Sequence, residues 1–273
     1  MIQADAPGAA PGIEPQAGRI AVYSCYFGTY EPLNPAATGS GAGYDRFVLT
    51  DHPLVLPGIR VLQGSDLGVE LGPEQGGAVA LSRLAKIRPH LFFSRYDWVI
   101  YIDNSASLRR EPVEIVAAIE ASQGGAAPAG RYLFAHQRRT CAYREARLCK
   151  QKGRISREDY HRQVNHYLAR GFPKEQGLYS NTVMVQKMGD PQTDAFNDAW
   201  YDHFLAFSRR DQISLPFMLW ERDYPVRLMP MGLGDLAHWP VFKPFRRAKF
   251  QSAQRARAAK RAARDGDEEQ LPA

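Results

Sequence analysis

The sequence predicts an α/β fold, and three observations lead to this class. Short apolar runs rich in β-branched and aromatic residues, which are typical of buried strands, recur along the chain. Segments with apolar residues at helical spacing separate these runs, and such alternation favours a largely parallel sheet. The chain has 273 residues, of which 44% are hydrophobic, so it can bury one large core.

Each predicted strand is bounded by residues that interrupt extended structure or carry a polar side chain. The first run, 19–28, stops at a glycine, and the second, 44–51, is closed by a His-Pro turn. The run 97–103 stays apolar until it reaches Asp103. The remaining strands are predicted at 59–62, 131–134, 177–186 and 226–229.

Five segments are predicted to be helical. Apolar residues at helical spacing predict a helix over 77–96, with a kink at Pro89 because proline lacks a backbone donor. A proline also occupies the first turn of the helix predicted over 111–120, where it is well tolerated. The segment 140–172 is basic and helix-prone but has few apolar residues. The other two helices are predicted at 193–207 and 211–220.

Composition divides the chain into three parts. Residues 1–18 are rich in Ala, Pro and Gly and contain no Lys or Arg, which predicts a flexible leader. A single domain is predicted over 19–245, with a basic helical insertion at about 136–174. The segment 246–273 has almost no apolar face and predicts a helix-prone or disordered basic tail.

The net charge of +6 is distributed unevenly along the chain. Segment 131–174 carries +9 and 246–273 carries +4, whereas 1–130 carries −4 and 175–245 carries −3. The excess of cations therefore lies in the insertion and the tail, and we expect no nucleic-acid partner for the fold as a whole. For the insertion itself two interpretations stay open, a solvated basic surface or a binding surface for an anionic glycan or lipid-linked acceptor.

The cysteines, the N-terminal segment and the lengths of the apolar runs predict the cellular compartment of the protein. Cys25, Cys141 and Cys149 are odd in number and form no CxxC pair, which disfavours a disulfide framework and a thiolate zinc site. The N-terminus lacks the regions of a signal peptide, and no run approaches the roughly 18 apolar residues of a membrane span. We therefore expect a cytoplasmic protein without a transmembrane segment, a description that is compatible with peripheral membrane contact.

Asp103 is the first candidate for chemistry. It ends a very apolar strand, and in α/β sheets ligands collect beyond the carboxyl ends of the strands. It begins the triplet Asp103-Asn104-Ser105, at a place where a carboxylate could hold Mg²⁺ or Mn²⁺ against a diphosphate. The alternative is that Asp103 only caps the turn with a hydrogen bond.

Arg83, Lys86 and His90 form the second candidate. Their spacing of three and four residues places them on one face of the predicted helix, where they could neutralise a diphosphate. A solvated helix face commonly has the same pattern, so this alternative stays open.

The third candidate is the pair Asp211 and Gln212 at the predicted start of a helix. A carboxylate there can act as a general base or bind an acceptor hydroxyl. An acid at this position is also a common helix cap that complements the helix dipole.

The fourth candidate is the segment from His238 to Lys243. The histidine could complete the coordination of a divalent metal, and the lysine could reach a phosphate. A lone histidine is more commonly a surface residue. The sequence contains no Walker loop, GxGxxG, GxSxG or HExxH motif, which argues against the common NTPase, dinucleotide, hydrolase and metalloprotease classes.

The order of these groups is more specific than any one of them. The ordered set is Arg83-x-x-Lys86-x-x-Pro89-His90, Tyr101-Ile-Asp103-Asn-Ser105, His136-x-Arg138-x-x-Cys141-x-Tyr143-x-Glu145 and Arg210-Asp211-Gln212-Ile-Ser214. It resembles a family of GT-A-type glycosyltransferases, long catalogued as a domain of unknown function and shared by bacteria and by plant proteins linked to pectin and mucilage synthesis. The resemblance runs from about residue 19 to residue 245.

The resemblance implies a GT-A-like, Rossmann-type nucleotide-binding fold with a mixed, mainly parallel central sheet. It also assigns roles to residues. A Mn²⁺ or Mg²⁺ ion would be held by Asp103, Ser105 and His238, and catalysis would involve Asp211 and Gln212. The donor nucleotide would contact Tyr26, Phe27, Gly28, Thr50, Asp51, Arg83, Lys86, His90 and Lys243. The acceptor would contact His136, Arg138 and Glu145.

The implied reaction transfers a sugar from a nucleoside-diphosphate sugar, with UDP favoured, to a hydroxyl of a glycan or glycolipid in polysaccharide biosynthesis. Ser105 stands where the family type has a second carboxylate. The absence of that carboxylate would weaken metal binding. The resemblance leaves open whether the configuration at the sugar is inverted or retained. The alternative is a non-catalytic protein that binds sugars, or nucleic acid, through its basic insertion.

Overall fold

The computed structural model describes residues 13–28, 31–63, 66, 77–126, 130–243, 245–254 and 256. Residues 1–12 of the predicted leader and residues 255 and 257–273 of the predicted tail lie outside the described residues. The described part of the leader is tied to the domain, because the amides of Gln16 and Ala17 donate to the Asp45 carboxylate at 2.7 and 2.9 Å. Residues 245–254 have helical backbone.

A seven-stranded sheet forms the centre of the described fold. Its strands are β1 (Ile20–Tyr26), β2 (Asp45–Thr50), β3 (Arg60–Leu62), β4 (Trp98–Ile102), β6 (Arg131–Ala135), β7 (Tyr179–Lys187) and β8 (Arg227–Leu228), in the order β3-β2-β1-β4-β7-β6-β8. Only β7 runs antiparallel to its neighbours in this sheet. This arrangement confirms the predicted α/β class with a mixed, mainly parallel sheet.

A second sheet of two strands pairs β5 (Ser107–Leu108) with β9 (Ala237–His238) in antiparallel fashion. The helices of the described chain are α1 (Gly77–Ile87), α2 (His90–Phe93), α3 (Pro112–Ser122), α4 (Ala142–Gln151), α5 (Arg157–Ala169), α6 (Pro191–Ala206), α7 (Asp211–Glu221) and α8 (Leu233–Leu236). The predicted basic insertion contains α4 and α5, and α4 packs on α7.

The central strands β1 and β4 are buried on both faces of the sheet, which explains why they are apolar without alternation. In β1, Ala21 and Tyr23 belong to one core cluster, whereas Ile20 and Val22 belong to the other. The first cluster takes residues from α1, α6 and α7, and the second takes them from α3. The free cysteines Cys25, Cys141 and Cys149 are all buried.

The helix predicted over 77–96 is interrupted. The helix α1 ends at Ile87, and Pro89 precedes the short helix α2, which begins at His90. The break follows from proline chemistry, since Pro89 has no backbone N–H to continue the α1 hydrogen-bond ladder. The prediction that Arg83, Lys86 and His90 share one helical face is therefore wrong.

None of the helices within the described ranges is long and apolar enough to cross a membrane.

A half-buried histidine predicts acid sensitivity of the fold. His203 on α6 lies 3.1 Å from the Tyr167 hydroxyl and stacks on Phe217 with ring centroids 5.0 Å apart. Burial, together with the neighbouring His166, lowers the pKa of His203 from 6.5 to about 3. The folded protein therefore keeps this imidazole neutral at a pH where the unfolded chain protonates it.

Because the unfolded state binds the extra proton, the free energy of unfolding should fall as the pH drops from 6.5 towards 3. The slope from this group is at most about 1.4 kcal/mol per pH unit. Urea denaturation at pH 7.5 and pH 5 measures it. In His203→Phe the free energy of unfolding at pH 7.5 should be about 1 kcal/mol lower, because the hydrogen bond to Tyr167 is lost, and it should depend less on pH. The control His161→Phe, at an exposed position, should behave like the wild type. An equally steep pH dependence in His203→Phe would contradict this assignment.

Candidate active site

A charged pocket lies at the edge of the sheet where parallel strands end. Its cavity volume is about 480 Å³. It includes Asp103, which follows the carboxyl end of β4, and residues at the start of the antiparallel strand β7, which reaches the same edge. The pocket is lined by Arg83, Lys86, Asp103, His136, Gln137, Arg138, Arg139, Glu145, Lys152, Arg154, Ser180, Asn181, Thr182, Arg210, Asp211, Gln212, Leu233 and Trp239.

The position of this pocket follows from the strand order. The chain builds β1, β2 and β3 outwards in one direction and then returns to place β4 on the other side of β1. Such a reversal of direction opens a crevice at the carboxyl ends of the strands, where α/β proteins bind ligands. Asp103 comes directly after the strand that makes the reversal.

A cluster of two cations and two carboxylates forms the floor of the charged pocket. The Lys86 ammonium, on a side chain only 2% exposed, lies 3.1 Å from Asp103 Oδ1 and 3.0 Å from Asp211 Oδ2. Arg83 Nε lies 3.4 Å from Asp211 Oδ1, and Asn181 Nδ2 donates to Asp211 Oδ2 at 3.2 Å. The helices α1 and α7 are thereby joined to the end of β4 through charged groups.

Asp211 is ionised in this cluster. Burial by itself would raise the pKa of this carboxyl, but the positive charges of Lys86, Arg83 and Arg210 outweigh burial and hold its pKa well below the usual range. A carboxylate with so low a pKa is a weak base at neutral pH. Asp211 is therefore better suited to holding cations in place than to removing a proton.

Asp103 accepts two short contacts on the same oxygen. The Tyr101 hydroxyl donates to Asp103 Oδ1 at 2.7 Å, and Lys86 contacts that atom as well. The Asp103 side chain is 29% exposed, which makes it more accessible than Asp211 at 7%. The side chain of Asp103 thus pairs with Lys86 of α1, a contact between two elements, in addition to its contact with Tyr101 of β4.

Gln212 also lines the charged pocket. Its Nε2 donates to the backbone carbonyl of Tyr179 at 2.9 Å, which anchors the amide at the first residue of β7. With the amide nitrogen held in this way, the orientation of the amide oxygen is constrained too. The sequence interpretation of Asp211 and Gln212 as a cap leaves out these contacts, which come from residues distant in the chain.

The residues predicted to hold the nucleoside follow two adjacent strands, outside the charged pocket. Tyr26 and Thr50 are the last residues of β1 and β2. The Gly28 amide donates to both oxygens of Asp51 at 3.0 Å, and Phe27 is buried. Gly28 has a φ of 69°, a conformation that glycine adopts without strain.

Besides the residues predicted to hold the nucleoside, four further predicted site residues do not line the charged pocket. His90 lies 3.1 Å from Asp198 on α6, because the break at Pro89 turns it away from Arg83 and Lys86. His238 Nδ1 lies 3.0 Å from Arg109 Nη2, and its neighbour Trp239 lines the pocket instead. Ser105 is 8% exposed, and its side chain is absent from the pocket wall, as is that of Lys243.

The predicted acceptor residues line the charged pocket together. Glu145 is 1% exposed and lies 2.7 Å from Arg139 Nε. The amides of Arg138 and Arg139 donate to His136 Nδ1 at 3.0 and 3.1 Å. Burial, and next the positive charge of Arg139, lower the pKa of His136. Glu145 and His136 thus organise the loop that presents Arg138.

Several pocket residues have no strong signal in the sequence. Asn181 and Thr182 lie inside a strand pattern, where polar residues are easily taken for surface positions. Trp239 is 53% exposed on the pocket wall, and an exposed large aromatic side chain beside charged groups is a feature only the fold shows. Lys152 and Arg154 belong to the basic insertion and line the pocket. A count of charges along the insertion does not distinguish these two cations from those that face solvent.

The predicted metal ligands do not fit a protein-bound metal site. Asp103 already pairs with Lys86, while His238 faces Arg109 and Ser105 lies outside the pocket wall. Within the described ranges no group of three or more His, Cys, Asp or Glu side chains could hold a metal ion. A divalent cation such as Mg²⁺ commonly takes one or two protein carboxylates and completes its shell with water and substrate phosphates, and of the predicted ligands only Asp103, which is 29% exposed, lies on the pocket wall.

The mainly parallel sheet, its charged pocket and the cluster around Asp211 define an α/β domain with a candidate ligand site at the carboxyl ends of its strands. Residues 78–229, more than half of the chain, match the family described as TOD1/MUCI70, glycosyltransferase-like domain. The chain belongs to this family. No curated protein sequence matches the chain.

Among the solved structures that match this chain are two glycosyltransferases. The apo structure of the bifunctional glycosyltransferase WbbM has 14% sequence identity and a TM-score of 0.50, over 90% of this chain and 46% of the WbbM chain. This chain thus spans less than half of WbbM. The mannosyltransferase Ktr4p from S. cerevisiae has 9% identity and a TM-score of 0.42, over 86% of this chain and 74% of its own. The WbbM likeness supports the GT-A-like fold.

Proposed function

We propose that this protein is an enzyme of GT-A type that transfers a sugar from a nucleoside-diphosphate sugar to a hydroxyl of a glycan or glycolipid, in polysaccharide biosynthesis. The observation that carries the proposal is the charged cluster at the carboxyl edge of the sheet, where Lys86 joins Asp103 to Asp211. Buried charges are expensive to maintain, so a cluster of this kind in a pocket favours a functional role.

The donor would bind across the carboxyl ends of β1, β2 and β4. Tyr26 provides an aromatic ring at the end of β1, and the exposed Asp51, held by the Gly28 amide, provides a carboxylate for the nucleoside. Arg83 and Lys86 supply positive charge for the diphosphate in the adjoining charged pocket. The UDP-linked donor is proposed from the resemblance of the ordered motifs to GT-A enzymes.

In the proposed reaction the bond between the sugar C1 and the diphosphate oxygen breaks, and a bond between C1 and the acceptor oxygen forms. The acceptor hydroxyl gives its proton to an oxygen of the departing diphosphate, so that the products are the glycoside and the protonated nucleoside diphosphate. Arg83 and Lys86 stabilise the negative charge that develops on the leaving diphosphate, and fixed cations contribute most when they are already in position. Asp211 keeps both cations there, and Gln212 lies beside them with its amide anchored on Tyr179.

The test of this proposal is binding and turnover of nucleotides by the full chain. Calorimetry should detect UDP binding, and a screen of nucleotide sugars should detect release of UDP or another nucleoside diphosphate. Absence of both nucleotide binding and turnover would overturn the proposal. Binding without turnover of any donor would support a non-catalytic sugar-binding protein instead.

The same titration tests the Mn²⁺ or Mg²⁺ cofactor expected from the sequence. Because Asp103 is the one predicted metal ligand in the pocket wall, we expect Mn²⁺ to raise UDP affinity by less than about tenfold over EDTA, an effect below 1.4 kcal/mol. Asp103→Asn should abolish that increment. Exposed Asp202→Asn serves as the control and should retain it. A larger increase that survives Asp103→Asn would show that other residues hold the metal.

A further inference from the structure

The rim of the charged pocket has more cations than its floor can neutralise. The described lining contains seven Lys or Arg residues and three carboxylates. Within the described part of the chain, the salt bridges account for Arg83, Lys86 and Arg139. The cations that line the pocket without forming a salt bridge there are Arg138, Lys152, Arg154 and Arg210.

Three of these four cations come from the segment between β6 and α5, and the fourth directly precedes α7. Arg138 follows β6, Lys152 and Arg154 follow α4, and Arg210 precedes α7. The strands that end near the proposed donor residues, β1 and β2, lie on the other side of β4 in the sheet order. Arg138 therefore lies on the side of β4 opposite to the proposed nucleoside position, and the other three cations line the same pocket.

The neighbouring contacts keep this rim in place. Arg139 is fixed on the buried carboxylate of Glu145, and the Arg138 amide is hydrogen-bonded to His136. Arg138, Lys152 and Arg154 are themselves exposed, so their charges are available to a ligand. Trp239, on the same pocket wall, offers an exposed aromatic face.

We propose that Arg138, Lys152 and Arg154, together with Arg210, form a subsite for a negatively charged glycan acceptor. The subsite rests on the proposed function for its role in transfer, but its binding chemistry is independent of turnover. Clustered cations attract carboxylate or phosphate groups, and arginine can bind either with two parallel hydrogen bonds. The position of Arg138 across β4 from the donor side favours the acceptor over the donor diphosphate.

The experiment compares two triple variants of the full chain. The first, Arg138→Gln/Lys152→Gln/Arg154→Gln, removes three rim cations and leaves Arg210 next to Asp211 untouched. The second, Arg147→Gln/Arg157→Gln/Lys174→Gln, removes the same charge from exposed positions of the same insertion that do not line the pocket. Circular dichroism and urea denaturation verify that both remain folded.

Binding is measured by calorimetry with matched probes. A hexasaccharide of uronic acid is compared with the same oligosaccharide after methyl esterification of its carboxylates. A phosphorylated pentamannose is compared with neutral pentamannose, which distinguishes a carboxylated from a phosphorylated acceptor. We expect at least one charged probe to bind more tightly than its neutral counterpart, and the pocket variant to lose about tenfold or more of that affinity. The control variant should stay within about twofold of the wild type.

UDP binding separates this subsite from the donor site. If the rim cations bind the acceptor, both triple variants keep the wild-type affinity for UDP. Equal binding of charged and neutral probes would overturn the proposal, as would a parallel loss of UDP affinity in the pocket variant. Tighter binding of a single-stranded oligonucleotide of equal charge would also overturn it in favour of nucleic acid. If the wild type binds the charged glycan but no nucleotide, the subsite stands and the proposed function fails.

Discussion

Asp211→Asn is expected to lower the rate of nucleoside-diphosphate release from an accepted donor by at least about 100-fold, which corresponds to about 2.7 kcal/mol of transition-state stabilisation. Asparagine has the same shape but cannot neutralise the charges of Lys86 and Arg83, whose nitrogens lie 3.0 and 3.4 Å from the carboxylate oxygens. Both cations would then shift relative to the leaving diphosphate. Initial rates at saturating donor measure the effect.

The same variant should be less stable. Removing one partner from a buried ion pair costs about 3–5 kcal/mol, and Lys86 keeps its second partner, Asp103, so we expect about 3 kcal/mol for Asp211→Asn. Urea denaturation at pH 7 gives the free energy of unfolding. Asp198→Asn is a matched control, because Asp198 pairs with Arg88 at 2.6 Å on a side chain that is 45% exposed. A fully active and fully stable Asp211→Asn protein would contradict the role assigned to the carboxylate.

Acid should act on Asp211 only at low pH. The pKa of Asp211 is depressed in the fold, so its contribution to stability is present above the unfolded value near 3.9 and is lost as the pH falls below that. Activity should accordingly show no acidic limb from Asp211 between pH 5 and pH 8.

Lys86→Met has the second large expected effect. The variant leaves the carboxylates of Asp103 and Asp211 close together without the ammonium that lies between them. We expect a loss of about 3–5 kcal/mol in the free energy of unfolding at pH 7, as for other broken buried pairs. We also expect UDP affinity to fall at least about tenfold, since a cation is removed beside the diphosphate.

The pH dependence identifies the cause of that loss. Without Lys86, repulsion between the two carboxylates should raise the pKa of one of them above its unfolded value. The folded state then binds the extra proton, so the deficit relative to wild type should shrink as the pH falls from 7 to 4. Lys150→Met, outside the pocket wall, should show no such trend. A deficit that is independent of pH would indicate lost packing in place of charge repulsion.

Much of the fold was predictable because the central strands of the sheet are buried on both faces. The strand Trp98–Ile102 is buried at every position, and a segment of that kind is apolar throughout and easy to recognise. The interruption of the long helix was predictable in kind, since Pro89 was expected to kink it. The position of His90 was not predictable from the sequence, because it depends on a contact with Asp198, which lies on α6 in a remote segment of the chain.

One residue of the candidate site was predictable from its position at the end of an apolar strand. Asp103 was recognisable because an acid that ends an apolar strand has a defined position in an α/β sheet. The sequence spacing did not reveal that Lys86 would lie between Asp103 and Asp211, or that His238 would face Arg109 while Trp239 lines the pocket. These are contacts between elements 17 or more residues apart, and local pattern contains no information about them.

The sequence by itself determined the α/β class, the order along the chain of the seven strands of the central sheet, and the concentration of positive charge in one insertion. Those properties follow from local composition and periodicity, which each segment carries with it. Only the tertiary structure decided which charges pair, which stay free on the pocket rim, and which predicted ligands are kept apart. Pairing depends on the packing of remote segments, because charged side chains interact strongly only at a few ångströms and in a site shielded from water.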